Sequence, residues 1–311
     1  MTDATVVSIG TFDGIHLGHQ AILAEVRRQA DRSGIQSVAY AFELPPRLQT
    51  GGGPGRCLLL PGSIKTRLLL RAVDRVVRAS FSEIRTLSPE AFAGEILGER
   101  LRAKSVVVGP SFRFGAERSG DPEVLRSLGE RLRFSVTVVP PVLVDGEPVN
   151  STRIRTLLSE GDVAGAAALL GRPPVLVGDV AIGDRVGRAL GHPTANLAID
   201  PHVLLPAHGV YVASAFVGNP PGPVSRPALL YVGTRPTLGA EGGALRCEVH
   251  LLEAEEGDLY GERVEVHLLQ RLREDRSFSS LEVLRLQIER DAARASDVLA
   301  GSRDPSAPIA G

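Results

Sequence analysis

The stretch Thr5-Val6-Val7-Ser8-Ile9-Gly10-Thr11-Phe12-Asp13-Gly14-Ile15-His16-Leu17-Gly18-His19-Gln20 decides how the first half of the chain is read. Residues Thr5 to Ile9 are strand-like, and an amphipathic helical pattern begins after Gln20. The glycines between them allow a tight turn and close approach to a ligand. His16 and His19, three residues apart, project from one face of the opening helical turn. A helix N-terminus has unpaired N–H groups and a positive dipole end, which suits an anion, so the turn is read as a site for a nucleotide α-phosphate. The bare His-x-Gly-His spacing also fits an ordinary strand-turn-helix connection; the preceding strand and following helix favour the phosphate reading.

Around that turn, short β-rich runs alternate with helical patterns. Val6 to Ile9, Ser37 to Phe42, Arg75 to Ala79, Ser105 to Val108 and Phe134 to Val139 read as strands. Gln20 to Gln29, Ile64 to Ala72, Pro89 to Arg102 and Pro122 to Arg131 read as helices, the last with Asp121 as N-cap. This alternation predicts a Rossmann-like α/β domain, a parallel sheet covered by helices, with its ligand beyond the carboxyl ends of the strands where the Gly10 turn falls. Thr50 to Arg56 reads as a loop, Asp145-Gly146 as a hairpin turn, and Ser151 to Leu158 and Val163 to Leu170 as helices, the second stopped by Gly171. We place the domain boundary there, giving 1–171, 172–300 and a disordered tail at 301–311.

From Pro174 the pattern becomes short alternating strands: Val175 to Ile182, Gly209 to Val217, Ala228 to Val232, Leu245 to Leu252 and Arg263 to Leu269. Glycine- and proline-rich loops separate them, which predicts an antiparallel β-barrel. One more helix follows, with a capping-box pattern at Ser279 to Glu282 and apolar Leu281, Leu284, Ile288, Ala292 and Ala295 at helical spacing.

Composition narrows the chemistry. With 311 residues the chain suits two domains, and a net charge of −1 gives no basic field for nucleic acid. Of 35 basic residues only Lys65 and Lys104 are lysines, and neither completes a GxxxxGK[ST] phosphate loop, which excludes a P-loop kinase. Cys57 and Cys247 match no zinc or redox pattern and read as reduced. No signal region or membrane-spanning apolar run is present, so a soluble cytoplasmic protein is expected, without nucleic-acid or membrane partners.

Ser151, Thr152 and Arg155 stand at a predicted helix start, where amides, hydroxyls and a guanidinium would hold phosphate oxygens opposite the histidine turn. A Ser/Thr cap followed by surface arginines is the alternative. Together the two elements suggest nucleotidyl transfer. A phosphate nucleophile is already anionic, so His16 and His19 would stabilise charge on the α-phosphate, with no general base required.

The strings Gly10 to Gln20, VVVGPSFRFG (Val106 to Gly115), Ser151 to Arg155, GRALGHPTANL (Gly187 to Leu197), GTRPT (Gly233 to Thr237), Glu248 to Leu252, DLYG (Asp258 to Gly261) and Leu272-Arg273 together resemble the bacterial bifunctional riboflavin kinase/FAD synthetase family. The resemblance runs in order over nearly the whole chain. It implies an FMN adenylyltransferase domain followed by a six-stranded riboflavin kinase barrel with a C-terminal helix, acting on riboflavin, FMN and ATP with Mg2+ and forming FMN and FAD. It further implies ligand contacts from Gly10, Phe12, Asp13, Gly14, Gly18, Ser151, Thr152 and Arg155 in the first domain, and from Gly187, Arg188, Pro193, Thr237 and Arg273 in the second.

In the second domain Gly183, Gly187 and Gly191 make a loop whose amides can approach phosphates, and Thr194 and Asn196 offer neutral oxygens to magnesium. Composition alone reads Pro193 to Asn196 as a turn. The primary alcohol of riboflavin needs a base, and by resemblance that base is Glu248, which strand period places on the face opposite Cys247 and Val249. Period by itself makes Glu248 solvent-facing. Arg273 resembles the flavin-side arginine, with a salt bridge as the alternative. The family's Phe-x-Pro-His-Pro is Phe42-Glu43-Leu44-Pro45-Pro46 here, and Ser111 and Asn150 also depart from its pattern. A protein with kinase activity only is therefore the second reading, and a non-catalytic flavin-binding regulator the third.

Overall fold

The computed structural model describes residues 4–43, 55–181, 194–218, 224–234, 245–252 and 259–301. They pack as two units, one formed by the chain up to Gly55 together with Gly62–Ser151, the other by Arg56–Pro61 together with the chain from Thr152.

In the first unit, β1 (Thr5–Gly10), β2 (Gln36–Phe42), β3 (Arg75–Ala79), β4 (Ala103–Val108) and β5 (Ser135–Val138) form one sheet in the order β3-β2-β1-β4-β5. Every pairing is parallel. Such a sheet must bury both faces, and the strands carry apolar residues at successive positions to do so. Val7, Ile9, Val38, Tyr40, Phe42, Val106 and Val108 pack with Phe92, Leu97, Leu125 and Leu128 on one side. Helix α1 (Leu17–Ser33) buries Leu23, Val26 and Ala30 and packs against β1, β2 and β4. Gly34, at φ 62°, ends it.

Helix α2 (Gly62–Ala72) precedes β3, and α3 (Pro122–Leu132) precedes β5. Asp121 caps α3 as expected, accepting from the Glu123 and Val124 amides at 2.9 and 3.0 Å. The helix expected from Pro89 takes a different form. After an α-turn at Pro89–Ala91 it widens into π geometry over Phe92–Arg100, turning Phe92, Ala93, Ile96 and Leu97 into the core. Asp145 and Gly146, at φ 57° and 79°, join β6 (Leu143–Val144) to β7 (Glu147–Pro148) in the expected hairpin.

Helices α4 (Ser151–Glu160) and α5 (Val163–Leu170) come next, the second ended by left-handed Gly171. A closed antiparallel barrel follows, in the order β10-β11-β12-β9-β8-β13. Its strands are β8 (Val175–Ala181), β9 (Thr194–Ile199), β10 (Gly209–Val217), β11 (Val224–Thr234), β12 (Leu245–Leu251) and β13 (Arg263–Glu274). Strand β9 corrects the reading of Thr194 to Asn196 as part of a turn. Its pairing with both β8 and β12 closes the barrel, and tertiary hydrogen bonding here outweighs local turn composition.

The C-terminal helix α6 (Leu281–Gly301) lies over the outside of the barrel, where Ala292 and Ala295 pack against Val210, Val212, Leu229 and Leu272. Its capping hydroxyl is Ser280, which accepts from the Val283 amide at 3.3 Å, one residue later than the capping-box pattern suggested. Among the described residues no helix is long and apolar enough to cross a membrane. The expected disordered tail from residue 302 onward lies outside the described residues, as do Leu44 and Pro45.

Candidate active sites of the two units

In the sheet of the first unit β1 has β2 on one side and β4 on the other, so the chain reverses its direction of winding there. The crevice at such a switch point is where open α/β sheets bind ligands, and the Gly10–His16 turn rims it. The turn is strained: Phe12 and Ile15 take φ of 49° and 40°, and Gly14 takes 87°. Phe12 and Ile15 are nevertheless buried, which anchors the turn from below. Phe12 thus packs beneath the turn, edge-on to the His19 ring with centroids 5.5 Å apart.

The carbonyls of this turn are held one by one. Lys65 Nζ donates to Thr11 O at 3.3 Å, the Ile15 amide to Phe12 O at 3.3 Å, and Ser151 Oγ to Asp13 O at 2.9 Å. Gln20 Nε2 donates to Ile15 O at 2.9 Å and the Gln20 amide to His16 O at 3.0 Å. In this arrangement the Ser151 hydroxyl donates to the turn itself.

His16 caps α1, its Nδ1 accepting from the His19 amide at 3.4 Å. This assigns the proton of the neutral ring to Nε2. The two imidazoles stack with centroids 3.7 Å apart and planes at 21°. Gly18 makes room for that stack, since a Cβ there would lie 3.2 Å from His16 Cε1 and Nδ1. Burial, and next the neighbouring His16, hold the His19 pKa well below the usual 6.5. His19 Nδ1 is buried with no hydrogen-bond partner, a further reason for a neutral ring. The His19 ring is therefore neutral at pH 7.

The shift has a consequence for stability. The unfolded chain protonates His19 near pH 6.5 while the folded chain resists, so unfolding takes up a proton and stability falls as pH drops through 6.5. The denaturant midpoint of the first unit should decline from pH 7.5 to 5.5, and the decline should shrink in His19→Gln. An equal decline in both proteins would contradict the assignment.

Thr152 is exposed, and Arg155 Nε donates to Cys57 O at 2.7 Å within the second unit. Ser111 is exposed on the loop after β4.

In the barrel, register lines up the predicted residues. Arg273 pairs with Val210, Val210 with Tyr231, Tyr231 with Glu248, and Glu248 with Asn196. Directly paired residues share a face, so these form one row across the outer face, with Thr194 beside it opposite His250. Cys247, Val249 and Leu251 are buried on the other face. Glu248 is only 6% exposed, which corrects the solvent-facing expectation from period, and its Oε1 lies 3.7 Å from Arg246 Nη1.

Arg273 reaches this face because β13 carries an extra residue between its pairings with Val210 and Tyr211. At such a bulge two successive side chains share a side, so Leu272 packs under α6 while Arg273 Nε meets Asp291 Oδ2 on that helix at 2.8 Å. Asp291 is 1% exposed, and its Oδ1 accepts from Gln287 Nε2 at 2.7 Å. Arg273 is thus in a salt bridge, which fixes its guanidinium 5.6 Å from the Phe278 ring centroid. Tyr231 Oη donates to Asp275 Oδ2 at 3.2 Å.

Removing one partner of a buried pair leaves an uncompensated charge, which costs about 3 kcal/mol. Asp291→Ala should lower the stability of the second unit by about that much in denaturant unfolding, and Asp291→Asn by less. Equal stability of Asp291→Ala and the unaltered protein would show that the pair does not fasten α6.

Sequence reasoning missed Lys65, Tyr231, Arg246 and Asp291. Asp291 had a signal: with Gln287 it interrupts the apolar stripe of Leu284, Ile288 and Ala292. Gly187, Arg188, Pro193 and Thr237 lie outside the described residues.

Known proteins resemble both parts of the chain. Residues 1–153 match the family model described as FAD synthetase, and residues 170–299 that described as riboflavin kinase. A protein of Pseudomonas fluorescens named bifunctional riboflavin kinase/FMN adenylyltransferase is 37% identical over 307 residues, covering 96% of this chain and 94% of its own. A protein of the same name from Escherichia coli K12 is 33% identical, covering 95% and 93%. A crystal structure described as a macrolide-efflux protein from Streptococcus pneumoniae superposes with a TM-score of 0.84 at 29% identity, over 96% of this chain and 95% of that one.

Proposed function

This chain belongs to the bifunctional riboflavin kinase/FMN adenylyltransferase family, and from that premise we propose which of its residues carry each reaction. The protein phosphorylates riboflavin to FMN and adenylylates FMN to FAD, using ATP in both steps. We set the boundary between the two activities at Gly171.

For the kinase, the row Arg273-Val210-Tyr231-Glu248-Asn196 carries the proposal. Adjacent strands lie about 4.8 Å apart, so Glu248 is one strand from Asn196 and about 14 Å along the sheet from Arg273. That span suits a tricyclic ring bearing a sugar-alcohol chain. The ring would lie toward Arg273 and the terminal hydroxyl at Glu248, with the ATP phosphates toward Thr194 and Asn196. Glu248 takes the hydroxyl proton as the oxygen attacks the γ-phosphorus, and ADP leaves. The neutral oxygens of Thr194 and Asn196 fit magnesium arriving with ATP, which when bound neutralises phosphate charge. Gly187, Arg188 and Pro193 are assigned to the same nucleotide, and Thr237 to ligand binding in this unit.

For adenylyl transfer, an FMN phosphate oxygen attacks the α-phosphorus and pyrophosphate leaves. No proton need be removed. His16 and His19 donate N–H hydrogen bonds to the α-phosphate oxygens as charge builds there, while Gly10, Asp13, Gly14 and Gly18 give the backbone its approach to the phosphates. Phe12 supports the turn from beneath. Ser151, Thr152 and Arg155 are assigned to the phosphate side, Ser151 through its hold on Asp13. Purified protein given riboflavin, ATP and magnesium should yield FMN and then FAD on chromatography; folded protein yielding neither would refute both assignments.

A further inference from the structure

Lys65 is buried in a chain that otherwise relies on arginine, whereas Lys104, the other lysine, is exposed. Its ammonium donates to three backbone carbonyls, Phe42 O at 2.6 Å, Glu43 O at 2.9 Å and Thr11 O at 3.3 Å. Phe42 ends β2 and Glu43 follows it, as Thr11 follows the end of β1. The carbonyls at the carboxyl edge of two adjacent parallel strands have no further strand to pair with, and all three donors of one lysine close that edge. A guanidinium spreads its donors over a plane and does not gather three acceptors at one point, which accounts for lysine here.

This brace acts on the strained part of the nucleotide turn. Thr11 immediately precedes Phe12, whose left-handed backbone begins the turn leading to Gly14, Ile15 and His16. With Thr11 O held by Lys65 and Asp13 O by Ser151, the Thr11–Phe12 and Asp13–Gly14 peptides are held from two directions, and the Phe12 and Gly14 amides keep one orientation. Preorganised amides bind the nucleotide phosphates without the cost of ordering the turn, so loss of the brace weakens ATP binding itself. The Glu43 amide donates to Ala79 O at 3.4 Å, which ties the β2 end of the brace to β3.

We propose that Lys65 is a positioning residue for adenylyl transfer, bracing the Thr11–His16 turn against the end of β2 so that the turn presents a fixed set of donors to the nucleotide phosphates. The proposal rests on the assignment of adenylyl transfer to this turn. It is tested with the full chain as Lys65→Met and Lys65→Arg, by two readouts. Amide hydrogen exchange of a peptide covering Gly10 to Gln20 should accelerate at least tenfold in Lys65→Met, while peptides from β4, β5 and the barrel keep their rates. The KM for ATP in FAD formation, which does not depend on the amount of active protein, should rise at least tenfold, with riboflavin phosphorylation unchanged. Lys65→Arg should behave like Lys65→Met.

Unchanged exchange in the turn, or acceleration throughout the sheet, would overturn the proposal, as would full recovery of both readouts in Lys65→Arg. A lower FAD-forming rate at unchanged KM would also overturn it, indicating only loss of folded protein. Should the unaltered protein form no FAD, the assignment of adenylyl transfer falls, and the exchange measurement still decides whether Lys65 braces the turn.

Discussion

Glu248→Gln should reduce riboflavin phosphorylation by about 10²–10⁴-fold, the usual contribution of a positioned general base. FAD formation from supplied FMN should be unchanged. The substitution keeps the volume of the side chain and removes the proton acceptor. Glu248 faces the same side of the barrel as Asn196 and Tyr231, and Arg246 sits 3.7 Å from it, so the loss is confined to one face of the second unit. Initial rates of FMN formation with riboflavin and ATP in excess provide the check. A loss of less than about tenfold would remove Glu248 from the role of base.

His19→Ala should reduce FAD formation by about 10²–10³-fold, the range seen when one donor to a developing oxyanion is removed, and leave FMN formation intact. The effect should fall on kcat, because a neutral donor aimed at the α-phosphate gains most when charge builds there. The stacked arrangement adds a second consequence. His16 loses its ring neighbour at 3.7 Å, so His16→Ala and His19→Ala combined should cost less than the product of the two single losses. Independent, multiplicative losses would mean that the imidazoles act separately.

The β1-turn-α1 element was legible because a strand-like run and a helical pattern flank a short glycine-containing segment. The face of Glu248 was legible too, since period 2 separates it from Cys247 and Val249. Its burial was not, because period cannot say which face a distant part of the chain covers. Strand β9 was hidden by the turn-forming character of Pro193 to Asn196, and becomes a strand only because β8 and β12 both present edges to it. Lys65 gave no local signal, since the three carbonyls that bind it converge from two strand ends. The salt bridge of Arg273 likewise depended on a bulge that no propensity marks.

The central claim is that two separate residue sets carry two sequential reactions. It is tested most directly by chromatographic separation of the flavins formed by the unaltered protein, Glu248→Gln and His19→Ala, each given riboflavin or FMN with ATP and magnesium. The account predicts FMN and FAD from the unaltered protein, FAD only from supplied FMN with Glu248→Gln, and accumulation of FMN without FAD with His19→Ala. Loss of both reactions in either folded variant would contradict it.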